Sequence, residues 1–117
     1  MKKVYYLNTC DTCKRILKEL DLPPEFKLQD IKSDPLTDSQ LAELYKISGN
    51  YEALFSKRAR LYKERGYKDQ VLSEKAIREL ILEHYTFLKR PVILLENQLF
   101  IGNSKKNVEA AFKAIHG

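Results

Sequence analysis

Residues 3–20 read KVYYLNTCDTCKRILKEL, and this stretch decides the fold. Its first part, residues 3–7, is short and rich in aromatic and β-branched side chains, which is typical of a buried strand. After a polar interruption, apolar residues such as Ile16 and Leu20 recur at helical spacing from Asp11 onward. The stretch therefore predicts a strand that leads into a helix, with a Cys-x-x-Cys motif at the junction.

The next segments complete a strand–helix–strand unit. Pro23 and Pro24 end the helix, because proline cannot continue it and restricts the residue before it. Residues 26–31 alternate apolar and polar side chains, with Phe26 and Leu28 on the apolar side, and predict a second strand. A β-α-β unit of this length makes its two strands parallel.

Residues 37–87 predict helices without an intervening strand. Thr37 followed by Gln40 matches a capping box at the start of one helix. Ser73 is suited to cap a later helix, whose apolar stripe we extend to His84.

The last part of the chain predicts a β-hairpin and a helix. Residues 92–95 and 98–101 read as two strands, and Glu96-Asn97 is a suitable two-residue turn between them. The final helix is predicted from one apolar stripe, Val108, Ala111, Phe112 and Ile115.

This order of elements predicts an α/β protein with a thioredoxin-like fold. We expect a four-stranded mixed sheet with helices on both faces, and a helical insertion between the β-α-β and β-β-α halves. Because 117 residues suffice for one hydrophobic core, we predict a single domain over residues 1–117, with the insertion at about residues 36–88.

The composition excludes some classes of protein. Hydrophobic residues make up 44% and charged residues 32%, as in an ordinary globular domain rather than a disordered chain. No apolar run reaches the ~20 residues that span a bilayer, and the run after Lys3 is too short for a signal peptide, so we predict a cytoplasmic protein without membrane contact. The net charge of +5 fits either an anionic partner or a solvated lysine surface, and we expect no direct nucleic-acid contact.

The two cysteines of the chain, Cys10 and Cys13, form the motif. Such a pair has three interpretations. It is a redox dithiol, half of a zinc site, or two small residues of the core. A structural zinc ion takes four ligands, but only His84 and His116 remain as ligands of the usual kind, 32 positions apart. We therefore favour the dithiol and predict no metal.

The position of each cysteine predicts its role. Residues three apart in a first helical turn lie close enough for a disulfide. Cys10 is at the strand–helix junction, where free backbone N–H groups and the helix dipole favour a thiolate. We therefore predict Cys10 as the nucleophile and the more shielded Cys13 as the resolving thiol. Arg90 is a candidate cation beside them, because Pro91 opens the strand whose start faces this loop in a thioredoxin-like fold.

These features together resemble the arsenate reductase (ArsC)-like proteins of the thioredoxin fold, which include the Spx transcriptional regulators. The resemblance covers nearly the whole chain. It rests on the ordered stretches CDTCK (residues 10–14), LFSKR (54–58), YKERG (62–66) and LKRP (88–91), followed by a hairpin that ends in Ile101-Gly102.

The resemblance implies roles for particular residues. Cys10 would attack the substrate, Arg90 would bind an anion, and the Arg90-Pro91 bond would be cis. Within the matched motifs, Thr12, Pro91 and Arg58 are the predicted substrate-binding residues.

The match of Arg58 is not unique, because an ungapped match to the reductases puts Ser56 at that position, while the Spx-like pattern gives Arg58. A third arginine of the reductase pattern, expected around Ile101-Gly102, is absent. Because each charge-assisted hydrogen bond to an oxyanion contributes ~1.5–3 kcal/mol, this difference disfavours arsenate as the substrate.

The resemblance leaves two functions open. One is a thiol–disulfide oxidoreductase that acts on a thiol or disulfide such as glutathione, has no bound cofactor, and is reduced by glutathione or a thioredoxin-type partner. The other is an Spx-like redox-sensing regulator that binds the α subunit of RNA polymerase. The presence of Cys13 agrees with Spx, whereas the glutaredoxin-coupled arsenate reductases have no cysteine at this position.

Overall fold

The computed structural model describes all residues, 1–117, which form two compact units. The first, here called the sheet unit, consists of Met1–Asp34 and Arg90–Gly117. The second, the insertion unit, is Pro35–Lys89. None of the helices has the length and apolar character that would let it span a bilayer.

Strands and helices follow the predicted order. In chain order they are β1 (Lys2–Tyr6), α1 (Asp11–Leu20), β2 (Lys27–Asp30), α2 (Asp38–Ser48), α3 (Arg60–Glu64), α4 (Glu74–Glu83), β3 (Val92–Leu95), β4 (Gln98–Ile101) and α5 (Lys105–His116). Three short 3₁₀ turns lie at Glu52–Leu54, Tyr67–Asp69 and Tyr85–Phe87.

The four strands form one mixed sheet in the order β2-β1-β3-β4. β1 pairs with β2 in parallel and with β3 in antiparallel orientation, and β3 pairs with β4 as a hairpin. Leu95 lies opposite Gln98, and Glu96 between them has a positive φ of 55°, as a two-residue turn requires. The mixed sheet and the hairpin turn predicted from the sequence are confirmed.

The core of the sheet unit joins the sheet to α1 and α5. Its buried members are Val4, Ile16, Leu20, Phe26, Ile93, Val108 and Ala111. Full burial of a large apolar side chain stabilises the fold by about 1.5–3 kcal/mol. This packing therefore fixes α1, which carries the cysteines, against the sheet.

Strand β2 departs from the alternation read in the sequence. Leu28 is 53% exposed, whereas Gln29 is 5% exposed. β2 is an edge strand, so other elements need not pack over all of its side chains. The buried amide of Gln29 is satisfied, because its Nε2 donates to the Asp34 carbonyl at 2.9 Å. The predicted second strand is present, but its apolar–polar alternation does not match burial at Leu28.

Helix α5 is less regular in its burial than its sequence predicted. Val108 and Ala111 are buried, but Phe112 is exposed and its ring lies against His116, with 4.5 Å between the ring centroids. His116 Nε2 donates to the carbonyl of Leu20, the last residue of α1, at 2.7 Å. Phe112 therefore belongs to an aromatic contact at the surface rather than to the core.

The insertion unit has well-capped helices. Thr37 and Gln40 form the predicted capping box at the start of α2. Ser73 accepts a hydrogen bond from the Ala76 N–H at the start of α4. His84 lies just beyond the end of α4 in extended conformation, where its ring accepts from the Thr86 N–H, so its prediction as a helical residue is wrong.

Aromatic packing stabilises the rest of the insertion unit. The Phe87 ring stacks on Phe55 at 5.6 Å and meets Tyr67 edge-on at 6.4 Å. The Arg65 guanidinium lies over the Phe87 ring and pairs with Glu83 at 2.6 Å.

Candidate dithiol site

Cys10 lies at the start of α1, as the sequence predicted. A turn connects it to β1, with the Cys10 N–H donating to the Leu7 carbonyl at 3.0 Å. The Cys10 carbonyl accepts from the Lys14 N–H at 3.1 Å and so begins the helix. Cys10 is the N-cap residue in extended conformation, and its side chain makes no capping hydrogen bond.

Cys13 lies three residues further on, in the first turn of α1. It is 1% exposed, whereas Cys10 is half-buried and so reachable from solvent. Both cysteines are free thiols, and their side chains are hydrogen-bonded to each other. The two sulfurs therefore face each other, one accessible and one shielded.

Burial is the main influence on the Cys13 thiol. The pKa of Cys13 is raised from 9.0 to about 11, mainly by burial, and the hydrogen bond to Cys10 and the Cys10 charge act in the same direction. A hydrogen bond with the Leu7 backbone and the positive charge of Arg90 act in the opposite direction. Cys13 is therefore held as a neutral thiol near neutral pH.

Arg90 is brought to the dithiol by strand pairing. β3 runs antiparallel to β1 with Val92 opposite Tyr5, so the start of β3 lies beside the end of β1. Arg90 is half-buried, its Nε is inaccessible to solvent, and its charge acts on Cys13. The Arg90-Pro91 bond is cis, as the family resemblance implied, and Pro91 is buried.

The other two predicted substrate-binding residues differ in their surroundings. Thr12 is half-buried in the first turn of α1, between the two cysteines. Arg58 belongs to the insertion unit, where its side chain is exposed just before α3, and the alternative position, Ser56, is half-buried. The binding roles of Thr12, Pro91 and Arg58 stay predictions.

Asp30 is a residue of this region that the sequence analysis missed. Its Oδ1 accepts hydrogen bonds from the backbone N–H groups of Asn8 and Lys32, each at 3.3 Å, and its Oδ2 accepts from Ser33 Oγ at 3.2 Å. A sequence signal for Asp30 does exist. It is a carboxylate at the end of β2, and the parallel neighbour of β2 leads into the dithiol.

The arrangement suits reversible disulfide chemistry. An accessible sulfur, a shielded sulfur in hydrogen-bond contact and a nearby guanidinium are the parts that thiol–disulfide exchange uses. No group of three or more His, Cys, Asp or Glu side chains is arranged to hold a metal ion.

Comparison with known proteins places the chain in a family. The model of the ArsC family matches residues 5–111. An uncharacterised protein of Haemophilus influenzae is 34% identical over 116 residues, covering 96% of this chain and 99% of that protein. The global transcriptional regulator Spx 2 of Lactococcus lactis is 26% identical over 114 residues, covering 94% of this chain and 85% of the regulator.

A solved structure of a similar protein has the same fold as this chain. The arsenate reductase of Vibrio cholerae superposes with a TM-score of 0.74 at 20% identity, covering 96% of this chain and 97% of that one. At this identity the likeness establishes the fold alone, a thioredoxin-like mixed sheet with helices. With the family model matching most of its length, this chain belongs to the ArsC family.

Proposed function

We propose that this protein is a thiol–disulfide oxidoreductase in which Cys10 is the nucleophile and Cys13 the resolving thiol. The observation that carries the proposal is the contact between an accessible sulfur at a helix start and a buried sulfur one turn deeper. Membership of the ArsC family supports the same chemistry.

The first step is exchange at Cys10. Its thiolate attacks one sulfur of a substrate disulfide, forms a Cys10–substrate mixed disulfide and expels the other half of the substrate as a thiolate. Cys10 is the group that attacks because Cys13 is buried and cannot meet an incoming disulfide. Arg90, beside the pair, offsets negative charge that develops on the sulfurs.

The second step is resolution by Cys13. Once Cys10 is bonded to the substrate it no longer carries charge, so the Cys10 charge ceases to raise the pKa of Cys13. Cys13 then loses its proton to solvent, attacks the Cys10 sulfur and releases the second half of the substrate as a thiolate. The dithiol has given two electrons, the substrate has become two thiols, and a Cys10–Cys13 disulfide remains.

A reductant must restore the dithiol. Two glutathione thiols or one thioredoxin-type dithiol would reverse the two exchange steps and supply two electrons, without a bound cofactor. An anionic partner such as glutathione suits the positive charge of Arg90. We assign substrate binding to Thr12, Pro91 and Arg58.

Trapping of the mixed disulfide tests the proposal. With glutathione disulfide, wild-type protein should lose two hydrogens by mass spectrometry, whereas Cys13→Ala should hold one glutathionyl group at Cys10. Cys10→Ser should do neither. A glutathionyl group carried by Cys13 in the wild type, or full reductase activity of Cys10→Ser on a panel of arsenate, glutathione mixed disulfide and insulin, would refute the assignment.

A second candidate function is redox-sensing regulation through the α subunit of RNA polymerase. It is favoured by the match to the Lactococcus regulator over 94% of this chain and by the Spx-like Cys-x-x-Cys motif. A pull-down with the C-terminal domain of the polymerase α subunit, before and after oxidation, distinguishes the two functions. Binding that changes with the redox state of the Cys10–Cys13 pair would favour regulation, provided that this change is lost in Cys13→Ala.

A further inference from the structure

Asp30 occupies a particular place in the sheet unit. It is the last residue of β2 and lies opposite Tyr6, the last residue of β1, in the parallel register of the two strands. The carboxyl ends of parallel neighbours emerge at the same edge of a sheet. The Asp30 side chain is thereby within reach of the segment that carries the chain from β1 into the dithiol.

The Asp30 carboxylate joins two loops. Oδ1 accepts at 3.3 Å from the Asn8 N–H, in the turn between β1 and Cys10, and at 3.3 Å from the Lys32 N–H, in the segment after β2. Oδ2 accepts from Ser33 Oγ at 3.2 Å. One side chain thus holds both segments that leave the sheet at this edge.

The Asn8 contact bears directly on the dithiol. Asn8 is the second residue of the turn that begins at Leu7 and ends at Cys10, closed by the Cys10 N–H to Leu7 carbonyl bond. The turn is fixed by β1 before it and by α1 after it. The hydrogen bond to Asp30 is its side-chain anchor at the corner, two residues from the sulfur that we assign as nucleophile.

We propose that Asp30 is a positioning residue for Cys10, which acts by accepting the Asn8 hydrogen bond and so fixing the turn that presents the thiol. The role rests on the function proposed above. The bond is charge-assisted, because its acceptor is a carboxylate, and it restricts the conformation of a four-residue turn at the surface.

Hydrogen-bond acceptance can be separated from charge at this position. Asp30→Asn keeps an Oδ1 acceptor but removes the negative charge, whereas Asp30→Ala removes both. If Asp30 acts as a hydrogen-bond acceptor, Asp30→Asn should keep the exchange rate that Asp30→Ala loses. If its charge matters instead, the two variants should behave alike, because both remove a carboxylate near the dithiol.

The test measures the rate at which the Cys10 thiol exchanges with a neutral disulfide, hydroxyethyl disulfide, across the pH range. Asp30→Ala should lower that rate about tenfold, corresponding to ~1.4 kcal/mol, while Asp30→Asn should stay within about twofold of wild type. Ser33→Ala is the matched control, because it removes the Oδ2 contact and leaves the Asn8 bond intact. Its rate should equal that of wild type.

A second measurement does not depend on catalysis. Hydrogen exchange of the Asn8 amide, followed by NMR in the full chain, should quicken in Asp30→Ala and stay slow in Asp30→Asn and Ser33→Ala. An unchanged Asn8 amide, or equal exchange rates at Cys10 in wild type and Asp30→Ala, would overturn the positioning role. Absence of any disulfide exchange in the wild type would instead overturn the proposed function, while the Asn8 amide would still report on the contact.

Discussion

The first helices of the two units begin in opposite ways. In the insertion unit, Thr37 Oγ1 accepts from the Gln40 N–H at 3.1 Å, and Gln40 Oε1 accepts from the Thr37 N–H at 3.0 Å. In the sheet unit, α1 begins at Cys10, whose side chain makes no capping hydrogen bond. One helix is capped by its own side chains, and the other is not.

The contrast extends to every helix of ten residues or more. Ser73 caps α4 and Ser104 caps α5 through side-chain oxygens, so the helix that starts at the dithiol is the exception. A side-chain cap contributes about 1 kcal/mol, and the sulfur of Cys10 contributes none of it. Position 10 thus carries a sulfur where a side-chain oxygen would stabilise the helix, which fits the role proposed for Cys10 above.

The largest expected effect is on the rate of disulfide exchange, and it distinguishes the start of α1 from the start of α2. Cys10→Ser should lower the rate of disulfide exchange at least about a thousandfold, ~4 kcal/mol, because a hydroxyl does not form a disulfide. Thr37→Ala, which removes the corresponding side-chain atom of α2, should leave the rate unchanged. Stopped-flow assays with a chromogenic disulfide measure both, and a comparable loss in Thr37→Ala would erase the contrast.

The next effect is a loss of stability at alkaline pH that originates from Cys13, in the sheet unit. Below pH 9.0 the Cys13 proton is held in the folded and the unfolded states, but between pH 9.0 and about 11 the unfolded chain releases it first. Stability should therefore fall as pH rises through this window, by up to about 2.7 kcal/mol.

Urea unfolding at a series of pH values measures this loss. The informative quantity is the difference between wild type and Cys13→Ala, because this difference cancels the contribution of every other group. A difference that stays constant from pH 8 to pH 11 would contradict the raised pKa of Cys13.

A smaller effect concerns the capped start of α2. Thr37→Ala should lower the free energy of unfolding by about 1 kcal/mol, because the Gln40 N–H loses its side-chain acceptor. Thr37→Ser keeps the hydroxyl and should stay close to wild type. Chemical denaturation of the two variants gives the comparison, and equal stabilities would show that the capping box contributes nothing.

The smallest effect has the opposite sign. Serine is a preferred N-cap residue, and Cys10 already has the extended backbone that a cap requires, with φ −99° and ψ 112°. Cys10→Ser should therefore raise the free energy of unfolding by about 0.5 kcal/mol while it abolishes exchange. A variant less stable than wild type in thermal melts would mean that Cys10 is itself a stabilising residue.

Local signals made much of this architecture predictable. The Thr37–Gln40 spacing, the Glu96-Asn97 turn and the junction at Cys10 each depend on residues close in sequence, and all three are confirmed. The parallel pairing of β1 with β2 followed from the β-α-β opening, since such units have parallel strands.

Features that depend on distant contacts were not predictable in this way. Leu28 is exposed because its strand lies at the edge of the sheet, and no pattern within residues 26–31 reveals that position. Asp30 reaches Asn8 across 22 residues through the parallel register. For the candidate site, the sequence located both sulfurs and Arg90, but it did not reveal what holds the turn between β1 and Cys10.

The hydrogen bond from His116 to Leu20 has a consequence for the order of folding. It satisfies a carbonyl at the end of α1, where helices leave such groups without a partner, and it joins residues 96 positions apart. A contact that closes so long a loop costs entropy before it returns any energy. The carbonyl at the far end of α1 therefore gains this partner only when the C-terminal helix docks.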